Sequence, residues 1–261
     1  MASPSSASQP RTRRRLGEEG PSNDRVPTEA PLSIGLEGEV FATTMRTPGH
    51  DEELALGFLL AEGLIRGLDD VDRVVADNGR VNAWPAPGFA FDHRGAERRR
   101  GTLSTSSCGV CGRASIDDLM ANVKANEAAT HLSLESVERA VADLHGAMTL
   151  FERTGAVHGA ALYDHFGARL VVREDVGRHN AIDKTLGALL REGLAPALLA
   201  ISGRASFEVV QKAAAARVPI VATRKGVTSL AVDAAARAQI ALVSFLRNGT
   251  GNVFGADARI R

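Results

Sequence analysis

Between residues 26 and 46 apolar and polar side chains alternate around Gly35 and Gly38. The alternation predicts strands with Leu32, Ile34, Leu36, Val40 and Ala42 on one face. Thr47, Pro48 and Gly49 break the pattern. Asp51, Glu52 and Glu53 follow, and then Leu54, Leu56, Phe58, Leu59 and Leu60. Acidic residues ahead of a periodic apolar run suit the positive end of a helix dipole, so a helix is predicted over 50–62. Residues 71–92 read as one strand or two. From 93 to 107 periodicity is lost and Arg94, Arg98, Arg99 and Arg100 accumulate, which predicts a mobile loop. A helix can start within 114–122. A longer amphipathic one is predicted over 133–153, with Val137, Val141, Leu144, Met148 and Phe151 at helical spacing.

Beyond residue 157 strands and helices alternate. Strands are predicted over 160–163 and 168–173, joined by a turn at Gly167. A helix over 180–191, a strand over 197–202, a helix over 207–217, a strand over 219–223, a helix over 229–238 and a strand over 241–245 follow. This order predicts an α/β domain with a mainly parallel sheet and helices on its faces. The chain thus divides into a disordered basic tail (1–25), a β-rich lobe ending in the arginine-rich loop (26–105) and the α/β domain (106–261). No internal repeat is visible.

Charge narrows the function classes. The 31 basic residues are balanced by 31 acidic ones, so no global field draws the chain to nucleic acid. No apolar run is long enough to span a bilayer, and no membrane partner is expected. Arg13, Arg14 and Arg15 are not followed by an apolar segment, so a twin-arginine export signal is rejected and a cytoplasmic, reducing location is expected. A structural disulfide is disfavoured there.

That matters because the only two cysteines, Cys108 and Cys111, form one C-x-x-C inside Ser106-Ser107-Cys108-Gly109-Val110-Cys111-Gly112. A zinc half-site would need two more ligands, for which His158 and His179 are available, although nothing in the spacing requires them. A redox pair of the thioredoxin kind would follow a strand, whereas here an arginine-rich loop precedes it. Iron–sulfur, haem and dimanganese sites lack ligands. A persulfide carrier needs an exposed thiolate of low pKa on a movable loop, which the neighbouring arginines and a helix start near Arg113 would favour. A pair of small apolar residues is the bland alternative, set against the Ser and Gly surroundings.

Three strand-to-helix junctions carry the other candidate chemistry: Arg173 to Asn180, Ser202 to Ser206 and Thr223 to Thr228. Each combines Gly with Arg or Lys at the carboxyl end of a predicted strand, where open α/β sheets bind ligands. Glycine permits close backbone approach, and helix N-termini offer unpaired N–H groups. With Arg178, Arg204, Arg224 and Lys225 the edge reads as a phosphate or pyrophosphate site. Ordinary short loops with solvated basic residues are the bland reading. Neither G-x-x-x-x-G-K-[ST] nor G-x-G-x-x-G occurs. His158-Gly159-Ala160 lies where a zinc deaminase would carry a ligand, but Ala160 replaces the glutamate that chemistry needs. Asp175, His179 and Asp183 could form an acid–base set, or could order the junction and cap its helix.

Taken together, the run from Met45 to Leu59 (Met45-Arg46-Thr47-Pro48-Gly49-His50-Asp51-Glu52-Glu53-Leu54), the cysteine segment 106–112, Glu174-Asp175-Val176-Gly177-Arg178-His179-Asn180, Ser202-Gly203-Arg204-Ala205-Ser206-Phe207-Glu208 and Lys225-Gly226-Val227-Thr228 resemble the formate dehydrogenase accessory sulfurtransferases, the FdhD-type sulfur carriers. The match covers about residues 26–247. It implies a three-layer, cytidine-deaminase-like α/β core with a smaller N-terminal lobe, which accounts for the placing of His158. It implies a sulfurtransferase that takes persulfide sulfur from a cysteine desulfurase and passes it to the bis(guanine dinucleotide) molybdenum cofactor before that cofactor enters formate dehydrogenase. Cys108 matches the persulfide cysteine, and Cys111 its neighbour. Cofactor contacts would come from Arg178, Ser202, Gly203, Arg204 and Lys225, and from the segment Phe245, Leu246, Arg247, Asn248, Gly249 and Thr250, which departs from the aromatic-rich family tail. The cofactor is then a bound substrate, a GDP-like nucleotide is a candidate ligand, no resident metal is expected, and pairing of two copies is compatible. The alternatives are a guanine-nucleotide-binding chaperone of the dehydrogenase without sulfur transfer, and a zinc-dependent enzyme of deaminase ancestry.

Overall fold

The structure, a computed structural model, describes residues 6–14, 21–92, 123 and 125–261. The predicted loop 93–107, Cys108, Cys111 and the predicted helix within 114–122 lie outside the described residues.

Of the segment expected to be a disordered tail, most of the described residues instead form an antiparallel ribbon, β1 (Ser8–Arg14) and β2 (Pro21–Pro27). Composition suggested disorder, but cross-strand pairing and opposite charge supply order. Arg13 and Asp24 meet at 2.7 Å, Arg25 Nε donates to Ser8 Oγ, and β2 lies against a later helix, α3 (Thr149–Thr154).

The β-rich region forms a four-stranded sheet in the order β4-β3-β6-β5, from β3 (Ala30–Leu36), β4 (Glu39–Arg46), β5 (Val71–Asp77) and β6 (Arg80–Pro85). Leu32, Ile34 and Leu36 are buried on one face as the alternation predicts. Val40 is not: it is 57% exposed. A bulge lets Ile34 pair with Ala42 but Gly35 with Val40, so Val40 takes the outer face that Gly35 occupies. Helix α1 (Asp51–Ala61) covers the inner face, with Leu54, Leu56, Leu59 and Leu60 in one core with the strand residues.

The remaining strands make a six-stranded sheet in the order β12-β11-β10-β9-β7-β8. They are β7 (His158–Tyr163), β8 (Arg169–Asp175), β9 (Leu198–Ile201), β10 (Ile220–Thr223), β11 (Ala241–Arg247) and β12 (Thr250–Gly255). The expectation of a mainly parallel sheet needs correction. Only β9, β10 and β11 pair in parallel, while β7–β8, β7–β9 and β11–β12 are antiparallel. The reason lies in the connections: tight turns reverse the chain after β7 and β11, and the helical crossover from β8 to β9 leaves antiparallel β7 between them, so that only the crossovers from β9 to β10 and β10 to β11 join neighbouring strands. Strand β12 was not expected. Its turn, Asn248-Gly249, has positive φ at both residues (52° and 72°), the geometry that favours Asn-Gly in two-residue hairpins.

Helices cover both faces of this sheet. On one side lie α4 (Arg178–Glu192), α5 (Phe207–Ala215) and α6 (Ser229–Ala238), sharing a core with Leu162, Leu199, Ile201, Val221 and Leu242. On the other lies α2 (Leu134–Ala147), with Val137, Val141 and Leu144 against Ala161, Ala200, Ala222 and Val243. The single helix expected over 133–153 breaks at Met148. Beyond the break the Glu174 carboxylate accepts the backbone N–H groups of Leu150 and Phe151, both at 2.8 Å, and so starts α3 afresh. Phe151 therefore leaves the predicted apolar stripe and is 41% exposed.

The two sheets are joined through α1 and α4, which cross at glycines. A Cβ added to Gly57 would sit 1.9 Å from Asp183 O, and one added to Gly187 would sit 1.8 Å from Glu53 O. Around this crossing every acid in the first turn of α1 has a basic partner: Asp51 with Arg46, Glu52 with Arg191, and Glu53 with both Arg173 and His50. Burial would raise the Glu53 pKa, but the hydrogen bonds from Arg173 and His50 outweigh it and hold the carboxyl at about 2. A carboxylate with a depressed pKa adds stability above its unfolded value, near 4.5, and that stability is lost as pH falls towards 2. The melting temperature is therefore expected to fall across this acid window. Glu53→Gln should flatten that fall, and an unchanged slope would remove Glu53 as its source. Among the described residues no helix is long and apolar enough to cross a membrane.

Candidate functional site

The carboxyl ends of β8, β9, β10 and β11 and the amino end of β7 lie on one edge of the six-stranded sheet, as the pairing directions require. The loops leaving these ends are stitched to one another. Gly159 N donates to Ser202 Oγ at 2.9 Å, and Ser202 N to Gly159 O at 3.0 Å. Thr223 Oγ1 donates to Gly203 O at 2.7 Å and accepts from Lys225 N at 3.0 Å. Ala205 and Val227 form a further parallel bridge, with Ala205 N donating to Gly226 O and Thr228 N to Ala205 O. Phe245 N donates to Lys225 O at 3.3 Å.

Several predicted residues meet here. Arg178 Cδ and His158 Nδ1 lie 3.5 and 3.6 Å from where a Cβ on Gly203 would stand, so both side chains border the Gly203 backbone at contact distance. Arg178 and Ser202 are half-buried, and Arg204, Arg224 and Lys225 are exposed. The field of these cations is felt by two histidines. Burial, then Arg178 and His179, holds His158 below the usual imidazole range. Burial, then Arg224 and Lys225, does the same to His145 on α2. A neutral imidazole at His158, 3.5 Å from Ser202 Oγ, is available to exchange hydrogen bonds.

The segment 245–250 divides. Phe245, 58% exposed, has φ 50° at the bulge in β11, and its ring stands 3.1 Å from a Cβ on Gly226. An aromatic residue held in the left-handed region costs energy and is found where its side chain is required in one place. Leu246 is 1% exposed and packs in the core with Leu132 and Val137, so its side chain is turned away from the edge. Arg247, Asn248, Gly249 and Thr250 are exposed in and beside the hairpin turn, which is tied to α2 by Gly249 N donating to Glu138 Oε2.

Asp175, His179 and Asp183 do not form one set. The Asp175 carboxylate accepts from Gly177 N, Thr47 N and Asn180 Nδ2, and lies 2.7 Å from Lys184 Nζ. Lys184 also donates to Thr47 O at 2.8 Å, and Thr47 Oγ1 accepts from Val176 N. Asp175 therefore orders the junction and fastens it to the loop before α1. His179 faces Glu208, and Asp183 faces Lys212. Thr47, Lys184 and Glu208 all stand in or beside the motifs of the sequence, but reading it gave none of them a role of its own. A lysine set among Ala181, Ile182, Leu186, Ala188 and Leu189 was the available signal for Lys184. Among the described residues no group of three or more His, Cys, Asp or Glu could hold a metal ion.

The arrangement can hold an anionic ligand against fixed backbone and several cations. Comparison with known proteins agrees with the motifs. The model of the FdhD/NarQ family matches residues 27–261. The sulfur carrier protein FdhD of Anaeromyxobacter sp. (strain K) is 44% identical over 277 residues, covering 99% of this chain and 96% of that protein. The sulfur carrier protein FdhD of Streptomyces avermitilis is 39% identical over 253 residues, covering 91% and 89%. Among solved structures, that of a candidate formate dehydrogenase accessory protein from Desulfotalea psychrophila is similar over 100% of both chains, with a TM-score of 0.77 and 26% identity.

Proposed function

Since the chain belongs to the FdhD/NarQ family, we propose that it is a sulfur carrier, a sulfurtransferase that serves formate dehydrogenase by moving sulfur from a cysteine desulfurase to the bis(guanine dinucleotide) molybdenum cofactor. The observation that carries this reading is the stitched strand-end edge, where Arg178, Ser202, Gly203, Arg204 and Lys225 gather beside the exposed ring of Phe245. Pyrophosphate groups suit such a mixture of close backbone and guanidinium donors. An exposed aromatic face suits a purine base.

In the transfer step the Cys108 thiolate attacks the outer sulfur of the desulfurase persulfide. The donor S–S bond breaks, the donor cysteine leaves as a thiolate, and a new S–S bond forms on Cys108. When that outer sulfur, the cargo, passes to the molybdenum of the substrate cofactor, the Cys108 S–S bond breaks with its electron pair left on Cys108 as a thiolate, and the two electrons that bring the sulfur to the sulfide level come from the reduced metal of the substrate, with Cys111 assisting. The chain's described part holds the cofactor's nucleotide arms through the edge, with a GDP-like nucleotide as the smallest ligand expected there. The core around the edge is of the cytidine-deaminase kind. An antiparallel hairpin, β7–β8, followed by parallel strands with crossover helices supports that assignment. The carrier works in the cytoplasm, as a single copy or a pair.

The test is the intact mass of the protein after incubation with cysteine and a desulfurase. A gain of about 32 Da, one sulfur atom, is expected on the wild type and is expected to be absent from Cys108→Ala. Cys108→Ala should also leave formate dehydrogenase inactive in a reconstituted maturation assay. No adduct on the wild type, with GDP still bound, would instead make the chain a nucleotide-binding chaperone.

A further inference from the structure

Arg178 is the outer end of a chain of polar side chains that runs from the edge into the body. Its Nε–H donates to His179 Nε2 at 3.0 Å. His179 Nδ1 lies 2.5 Å from Glu208 Oε2, and Lys212 Nζ lies 3.6 Å from Glu208 Oε1 and 2.7 Å from Asp183 Oδ1. His179 and Asp183 are four residues apart on α4, and Glu208 and Lys212 four apart on α5, so two i,i+4 pairs face each other across the helix contact. The inner members are nearly inaccessible, with side chains 3% and 4% exposed for Lys212 and Asp183.

The direction of these bonds fixes what each group does. His179 Nε2 accepts from arginine, so its ring proton sits on Nδ1, and Nδ1 meets Glu208 Oε2 as a close charge contact, not an aligned hydrogen bond. Arg178 spends Nε inward. Among the described residues its two terminal nitrogens have no hydrogen-bond partner, and its side chain stands beside Gly203 and His158 at the edge. A guanidinium tethered through one nitrogen keeps its plane, and its remaining donors form a fork suited to two oxygens of one phosphate. A buried Lys–Asp pair is poor evidence of stabilisation by itself, since apolar residues could join α4 to α5 as well.

We propose that His179 and Glu208 are positioning residues that aim the Arg178 guanidinium at a phosphate of the nucleotide-bearing ligand, with Lys212 holding Glu208 from behind. This rests on the edge binding such a ligand, as proposed above.

The experiment uses the full chain and GDP as probe, measured by calorimetry, with guanosine as the phosphate-free control. Arg178→Ala is expected to weaken GDP by about 10- to 100-fold, the range for losing a charge-assisted pair. His179→Ala and Glu208→Ala should each weaken GDP by about tenfold and leave guanosine unchanged. His179→Gln, which can present an oxygen near the place of Nε2, should stay within about threefold of wild type. The double variant R178A/E208A should bind GDP no worse than R178A, because Glu208 acts only through the arginine. Additive losses in the double variant, or equal losses for GDP and guanosine, would overturn the positioning role while leaving the nucleotide reading intact. Failure of the wild type to bind GDP would overturn both.

Discussion

Alanine in place of Gly187 is expected to destabilise the protein by about 3 kcal/mol or more, at the upper end of the range for overpacked cores. The new methyl group would fall 1.8 Å from Glu53 O and 2.4 Å from its carbonyl carbon. No side-chain rotation relieves a clash with backbone, so α1 and α4 must separate. That separation would loosen the contacts of Leu54, Leu56 and Leu59 and the ion pairs of Glu52 and Glu53 together. Urea unfolding of Gly187→Ala checks this. Gly146 on α2 is the control: nothing lies within 4 Å of its added Cβ. Alanine there is expected to be neutral or to stabilise by about 0.5 kcal/mol through helix propensity. Equal effects at the two sites would mean that the crossing is not close-packed.

The second large effect is expected at Lys184. Its ammonium is 1% exposed and lies 2.7 Å from Asp175, which is fully buried. Lys184→Met keeps most of the volume but leaves the carboxylate without its counter-charge, at a cost of about 3–5 kcal/mol. The loss should be felt first where Thr47 meets the junction, because Lys184 and Asp175 hold the Thr47 O and N from the two sides. Amide exchange at Thr47 and Gly177 should accelerate more than exchange in β9 and β10. Asp175→Asn combined with Lys184→Met should recover part of the stability, since the uncompensated charge is gone. If the double variant were less stable than Lys184→Met by the full cost of Asp175→Asn alone, the two residues would not be coupled.

What could be read from sequence was what depends on near neighbours. Alternation at Leu32, Ile34 and Leu36 reported the buried face correctly, and the βα rhythm after residue 157 brought the three basic junctions to one edge. Val40 and Phe151 went astray through distant partners: the bulge that displaces Val40 is a property of the β3–β4 pair, and the helix restart before Phe151 depends on Glu174. Strand β12 was legible in principle, since Asn248-Gly249 announces a hairpin, but Arg247 and the flanking glycines obscured the alternation around it. The line from Arg178 to Lys212 contains two visible i,i+4 pairs, yet only the packing of α4 on α5 shows that they face each other. The cysteine pair, the only thiols in the chain, lies outside the described residues, so the chemistry read there rests on sequence and family alone.

The bonds that lace Gly203 to Thr223, Ala205 to Gly226 and Lys225 to Phe245 bear on the thermodynamics of capture. Loops of this kind, if free, would lose conformational entropy on meeting a ligand, and that loss would be subtracted from affinity. Here the ordering accompanies folding. A ligand reaching the edge meets backbone and side-chain donors already at set intervals, and selection among anions becomes a question of whether their oxygens match those intervals. Two linked phosphates can match a spacing that a single phosphate cannot, so for the nucleotide-bearing ligand proposed above, rigid loops would serve as a ruler for ligand length.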